Sequence, residues 1–168
     1  MRKKLVISGS FRHLPQLREA NEAFERIGFE VLAPKEFEAA ESRRGFALLP
    51  SDPQSKKNRR IQTNFMRQLR QVHFHYLVIP DGRIGQSVAT EIAYAALKGK
   101  PVIASRQPVR FAKEMTRRER QMLLKKIAAV VPPHAISRKK FVSVSPRKVT
   151  IKERPQIRGL IRKLLETL

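Results

Sequence analysis

Residues 74–105 read FHYLVIPDGRIGQSVATEIAYAALKGKPVIAS. Phe74 to Pro80 is an apolar run without alternation, the pattern of a strand covered on both faces. Asp81-Gly82-Arg83-Ile84-Gly85 interrupts it as a turn. Ser87 to Lys98 is rich in alanine and closed by Gly99, which predicts a helix with Ser87 at its N-cap. Pro101 to Ser105 is the next apolar run and the next strand. A strand, a helix and a strand in this order form a βαβ unit, whose two strands lie parallel in one sheet.

The same alternation extends toward the N-terminus. Lys4 to Ser8 is another unalternated apolar run, ended by Gly9-Ser10. Pro15 to Ile27 carries Leu17, Ala20, Phe24 and Ile27 at helical spacing, with Gly28 at its end. Phe29 to Ala33 is a strand stopped by Pro34. Residues 35–57, with Pro50, Asp52 and Pro53, show no clear period and read as a long loop holding one helical turn at most. Asn58 to Val72 is a helix with Ile61, Phe65, Leu69 and Val72 on one face. The expectation is an α/β protein with a parallel sheet of four or five strands and helices on both faces.

The charge distribution divides the chain. Residues 1–105 hold 18 basic and 10 acidic residues, whereas 106–168 hold 18 and 4. We therefore separate an α/β body, 1–107, from a basic C-terminal extension, 108–168. In the extension, Phe111 to Val131 reads as one helix with Met115, Met122, Leu123, Ile127 and Val130 as its apolar set. Pro132-Pro133 ends it. Phe141 to Val144 and Lys148 to Ile151 read as two short strands, followed by a helix from Pro155 to Leu168.

Composition narrows the function. With 168 residues and 41% apolar content the chain can build a core. It has no cysteine, which excludes disulfides, thiolate metal sites and a cysteine nucleophile. No apolar run is long enough to span a membrane. The apolar stretch Leu5-Val6-Ile7 behind Arg2-Lys3-Lys4 is too short for a signal peptide, so the cytoplasm is the expected compartment. A net charge of +22 predicts attraction to polyanions: nucleic acid, anionic lipid or phosphorylated small molecules. The pairs Arg117-Arg118, Lys125-Lys126 and Arg147-Lys148, with the run Arg138-Lys139-Lys140, stand among few aromatics. They suit nonspecific contact with a nucleic-acid backbone, or equally a solvated surface. Lys56-Lys57-Asn58-Arg59-Arg60 is open to the same two readings. His73 and His75 alternate faces of a strand without a third ligand in range. That pattern fits a buried, hydrogen-bonded histidine better than a metal site.

In an open parallel sheet, ligands bind at the carboxyl ends of the strands, where the strand order reverses. That rule selects the loop Ser8 to His13, the loop after Ala33 and the loop Pro80 to Ser87. In the first, Gly9 lets the backbone approach an anion, and the Ser10 hydroxyl and Arg12 guanidinium suit a phosphate. Alternatively, Ser10 only caps a turn and Arg12 is one more surface charge. In the third, Gly82 and Gly85 form a tight turn, and Glu91 lies about one helical turn beyond Ser87, with Tyr94 as a neighbour. A carboxylate there is expected to be ionised by the helix dipole, able either to attack an anomeric carbon or merely to complement that dipole.

Pro80 to Ser105, with Gly85, Ser87, Glu91-Ile92-Ala93-Tyr94-Ala95 and Gly99-Lys100-Pro101-Val102, resembles the nucleoside 2-deoxyribosyltransferase superfamily. Gly9-Ser10-Phe11-Arg12 is similar to the phosphate loop of its 2'-deoxynucleoside 5'-phosphate N-hydrolases. The resemblance covers about residues 4–105. It implies a flavodoxin-like, Rossmann-like fold and cleavage or exchange of an N-glycosidic bond, with Glu91 as nucleophile and Ser10 and Arg12 on the 5'-phosphate. It implies no metal or organic cofactor, and a homodimer or larger assembly in which a partner subunit lends residues to the site. On this reading Ser87 and the turn ending at Gly85 shape the sugar site, Tyr94 orients Glu91, and Asp81 supplies a further carboxylate. Two features depart from the family. The first strand reads Leu5-Val6-Ile7 where an aromatic hydroxyl often stands, and Thr63 to Arg67 offers no carboxylate. The alternative is a nucleotide- or nucleic-acid-binding protein that keeps the fold without turnover.

Overall fold

The computed structural model describes residues 2–34, 41–43, 46–48 and 58–168. Five parallel strands form the central sheet: β1 (Lys4–Gly9), β2 (Glu30–Ala33), β5 (Phe74–Val78), β7 (Val102–Ala104) and β9 (Ile127–Val130). Their spatial order is β2-β1-β5-β7-β9. This is the doubly wound, flavodoxin-like arrangement, with the order reversing between β1 and β5. The remaining strands make two small ribbons. β3 (Glu41–Arg43) and β4 (Phe46–Leu48) pair antiparallel, and β6 (Arg83–Ile84) pairs parallel with β8 (Arg110–Phe111).

Strand register sorts the side chains onto two faces. Val6, Leu77, Val102 and Ala104 face one core, closed by α3 (Gln86–Leu97) through Val88, Ala89, Ile92 and Ala93. α6 (Glu153–Glu166) covers it further with Ile157, Leu160 and Leu164. α2 (Asn58–Gln68) packs beside α3 and α6. Leu5, Ile7, Phe74, Tyr76 and Val78 face the other core, covered by Leu17, Ala20 and Phe24 of α1 (Leu14–Arg26). That second core is aromatic. Phe141 lies edge-on to Phe24, with centroids 5.0 Å apart, and to Phe74 at 5.8 Å. Such contacts add to the burial of the rings themselves.

The C-terminal third differs from the sequence expectation. A single helix over 111–131 is replaced by β8, α4 (Arg117–Leu124) and β9. Thr116 and Glu119 form a reciprocal capping box, Thr116 Oγ1 accepting from the Glu119 N–H and Glu119 Oε1 from the Thr116 N–H. The box starts the helix at Arg117 and leaves Phe111 outside it. Ile127 to Val131 fits helical spacing but is also an unbroken apolar run. The open edge of β7 takes it as the fifth strand, in register from Val102↔Ile127 to Ala104↔Val130. The strands expected at 141–144 and 148–151 are absent. Ser137 caps a short helix, α5 (Arg138–Val142), which delivers Phe141 to the aromatic core. Residues 148–151 lead into α6, where Thr150 and Glu153 cap each other as Thr116 and Glu119 do.

The segment after residue 107 thus supplies a sheet strand and covers both faces. Within that segment a buried ion pair ties β9 to α6: Lys126 Nζ, at 4% exposure and just before β9, donates to Glu153 Oε1 at 2.9 Å and to the Lys148 carbonyl at 2.8 Å. Within 35–57, read from the sequence as a long loop with one helical turn at most, β3 and β4 form a short ribbon, and the rest of that stretch lies outside the described residues. Among the described residues no helix is long and apolar enough to cross a membrane.

Because Phe141 is wholly buried, Phe141→Ala should destabilise the protein by about 3–5 kcal/mol. Ile151→Ala, at a residue 88% exposed, should stay within about 0.5 kcal/mol of wild type. Denaturant unfolding of both variants checks this. Equal, negligible effects would mean that the C-terminal third is not part of the core.

Candidate functional site

A cleft of about 540 Å³ opens at the carboxyl ends of β1 and β5, where the strand order reverses. Gly9, Ser10, Arg12, Asp81, Gly85, Ser87 and Glu91 all line it. Tyr94 does not. Its hydroxyl accepts from Arg70 Nε at 2.5 Å, and its ring lies under Lys98 Nζ, 5.4 Å from the centroid. One turn along α3, Tyr94 faces this exposed cationic neighbourhood, so the expectation that it orients Glu91 has no contact to carry it.

Backbone geometry explains the loops. A Cβ on Gly9 would stand 2.6 Å from the Val78 carbonyl oxygen, so only glycine lets β1 end this close to β5. Gly82 turns the chain with φ +70, and its carbonyl accepts from the Val109 and Arg110 N–H groups. Gly85 has ordinary extended φ and serves as the N-cap of α3, a position the sequence reading gave to Ser87. Ser87 lies inside the first turn, where its carbonyl accepts from Gln62 Nε2 at 3.4 Å.

Glu91 is the buried charge of the cleft, 6% exposed among Ala89, Ile92 and Ala95. Gln62 Nε2 donates to its Oε1 at 2.8 Å. Its Oε2 has no hydrogen-bond partner among the described residues. Burial pushes its pKa up to about 7, against the opposing influence of Ser8 and Gln62. The expectation that the helix dipole keeps it ionised is therefore corrected. Glu91 sits beyond the first turn of α3, where the dipole has faded and desolvation dominates. Near neutral pH the carboxyl exchanges readily between acid and carboxylate, as a group that changes protonation or charge during a reaction must.

The mouth of the cleft is cationic around one acid. Ser10 caps a single helical turn, Phe11–His13, and its Oγ accepts from the backbone N–H and Nε of Arg12 at 3.3 and 3.2 Å. Asp81 Oδ2 lies 3.4 Å from Arg12, 3.6 Å from His13 Nε2 and 3.9 Å from Arg110. Partial burial raises the Asp81 pKa, but the Arg83 N–H, His13 and Arg12 outweigh it and hold the carboxyl below its ordinary value. Asp81 thus gathers cations instead of acting as a second acid. Arg12 remains 61% exposed and able to turn toward an anion.

Three polar residues of the site escaped the sequence reading. Ser8 is the last polar position of an apolar run, His75 is the buried member of the pair His73/His75, and Gln62 shares a helix face with Ile61 and Phe65. Ser8 Oγ lies 2.5 Å from His75 Nε2, and both residues are buried. Only the pairing of β1 with β5 brings Ser8 to His75, and only the packing of α2 on α3 brings Gln62 to Glu91. Phe11, Leu32, Ile61 and Phe65 complete an apolar wall. Among the described residues no cluster of three or more His, Asp or Glu could hold a metal ion.

The raised pKa carries a stability signature. In the unfolded chain Glu91 ionises near its ordinary value of 4.5, and in the fold near 7. Wild type should therefore lose stability as pH rises between those values, with the loss complete above about 7. Glu91→Gln, which does not titrate, should escape it. Its advantage over wild type in urea unfolding should be negligible at pH 4 and reach a few kcal/mol, on the order of 3, at pH 8. A pH-independent difference would show that Glu91 titrates normally.

Compared with family models, with curated proteins and with solved structures, the chain matches none.

Proposed function

We propose that the protein is an N-glycosidase or 2-deoxyribosyltransferase acting on deoxynucleoside 5'-monophosphates, with Glu91 as the nucleophile. The observation that carries this reading is Glu91, a buried carboxyl in the cleft with one oxygen unpaired among the described residues, and a glycine–serine–arginine loop at the mouth. A free oxygen lone pair can attack the anomeric carbon. Gln62 fixes the other oxygen and so sets the direction of attack. The C–N bond breaks with its electron pair going to the base, which takes a proton from solvent water. Water or a second base then displaces the glutamate from the sugar.

The remaining residues fall into supporting roles. Ser10, Arg12 and the Gly9 backbone receive the phosphate, with Asp81 holding Arg12 nearby until ligand arrives. Ser87 and Gly85 border the sugar, and the wall of Phe11 and Phe65 accepts the base. Partial neutrality of Glu91 near pH 7 suits an anionic substrate, because a permanent buried charge would repel it.

Incubation of the protein with the set of deoxynucleoside 5'-monophosphates, followed by chromatography, should show released base. The kcat/KM should rise with pH through about 7, as the Glu91 carboxylate forms. Glu91→Ala should lower turnover by roughly 10³ or more with the fold intact. Arg12→Ala should weaken nucleotide binding about tenfold or more while leaving nucleoside binding nearly unchanged. No released base from any substrate, or full turnover by Glu91→Ala, would overturn the reading.

A further inference from the structure

Behind Glu91 stands a pair of buried polar groups that the reaction as written does not use. Ser8 is 3% exposed and His75 fully buried, on the sheet face that α3 covers. Their register explains the meeting. Val6 is opposite His75 and Ser8 opposite Leu77, so His75 and Ser8 are diagonal neighbours on one face of parallel strands. Ser8 Oγ and His75 Nε2 are 2.5 Å apart, and Ser8, Gln62 and Glu91 line the same cleft.

Proton accounting gives the pair a direction. Burial lowers the His75 pKa to about 3, so the ring is neutral and carries one proton. Its Nδ1 has no partner among the described residues. An orphaned N–H is less tolerable than an orphaned acceptor, so the proton belongs on Nε2, facing Ser8. Ser8 Oγ then accepts from His75, which leaves its single O–H to donate elsewhere. Glu91 Oε2, in the same cleft and without a partner among the described residues, is the acceptor left for it, and Ser8 is one of the two side chains that favour the charged form of Glu91. The other titratable residues lining the cleft are Arg12, His13, Asp81, Arg83 and Glu114, none hydrogen-bonded to Ser8, His75 or Glu91 among the described residues.

We infer that His75 is a positioning residue for Glu91, fixing the Ser8 hydroxyl as a donor to the carboxylate from the strand side while Gln62 donates from the helix side. This rests on the assignment of Glu91 as nucleophile. No covalent step is added. The proton of His75 stays on Nε2 and that of Ser8 on Oγ throughout. The device explains how a carboxylate walled by alanines can be populated near neutrality with no ion pair to it among the described residues.

The test reads the Glu91 titration directly, by NMR of protein labelled with carbon-13 glutamate, with Glu91→Gln identifying the resonance. Wild type should titrate near 7. Ser8→Ala and His75→Leu should each raise that value by about one unit and lower kcat/KM for base release at pH 6 by about ten- to a hundredfold. The double variant should be no worse than either single change, because both break one chain. His75→Gln, which keeps a donor nitrogen near the Nε2 position, should stay close to wild type. Should His75→Leu fail to fold, Ser8→Ala and His75→Gln carry the comparison. An unmoved Glu91 titration in Ser8→Ala, or additive effects in the double variant, would overturn the inference. Shifted titrations in a protein that releases no base would uphold the positioning role and sink the glycosidase reading alone.

Discussion

A parallel sheet cannot leave a face in water, because its strands are apolar on both sides. That demand shapes the molecule. The first 105 residues supply four strands of the central sheet and, among the described residues, three α-helices, and they leave β7 as an open edge with part of each face bare. β9 closes the edge, Phe141 plugs the aromatic face between Phe24 and Phe74, and α6 lies along α3. The most basic part of the chain is thereby its structural completion, with its cations directed outward. Lys126, the one Lys or Arg buried among the described residues, is paired with Glu153 and a carbonyl, as a buried charge requires.

The same topology makes the cleft. Where the strand order reverses, the connections leaving β1 and β5 diverge to opposite faces and open a gap at the strand ends. Into that gap α3 projects Glu91. Alanines at 89, 93 and 96 let the helix lie close to the sheet, and the closeness strips water from the carboxyl. Its pKa near 7 follows from that packing, since Ser8 and Gln62 offset the desolvation only in part. At the mouth the balance is reversed. Asp81 is only partly buried, ringed by Arg12, His13 and Arg110, and its carboxyl is held below its ordinary value. Two carboxyls in one cleft are thus held on opposite sides of the ordinary value by opposite environments.

Much of this was legible in the residues. The turn between β5 and α3, the alanine-rich helix and its glutamate, and the glycine at the end of β1 all carry local signals. So does the capping box Thr116–Glu119, although the apolar period from Met115 to Val130 masked it in the reading of a single helix. Tyr94 shows the limit of helical spacing. It neighbours Glu91 in sequence period, yet Arg70 and Lys98 hold it outside the cleft. Periodicity gives a direction around the helix axis, and the neighbouring elements decide what lies there.

By itself the sequence determined the alternation of strands and helices, the parallel sheet, the location of the cleft and its principal acid. Each depends on contacts within a few residues: unalternated apolar runs, glycine turns, helix spacing. Tertiary structure decided what depends on distant partners. Ile127 to Val131 became a strand because β7 offered an unpaired edge, and 138–142 became a helix because Phe141 filled a gap between rings. Gln62 reached Glu91 from α2, and Ser8 met His75 across β1 and β5. The protonation of Glu91 was decided there as well, since desolvation is set by everything packed around a group and by no residue alone.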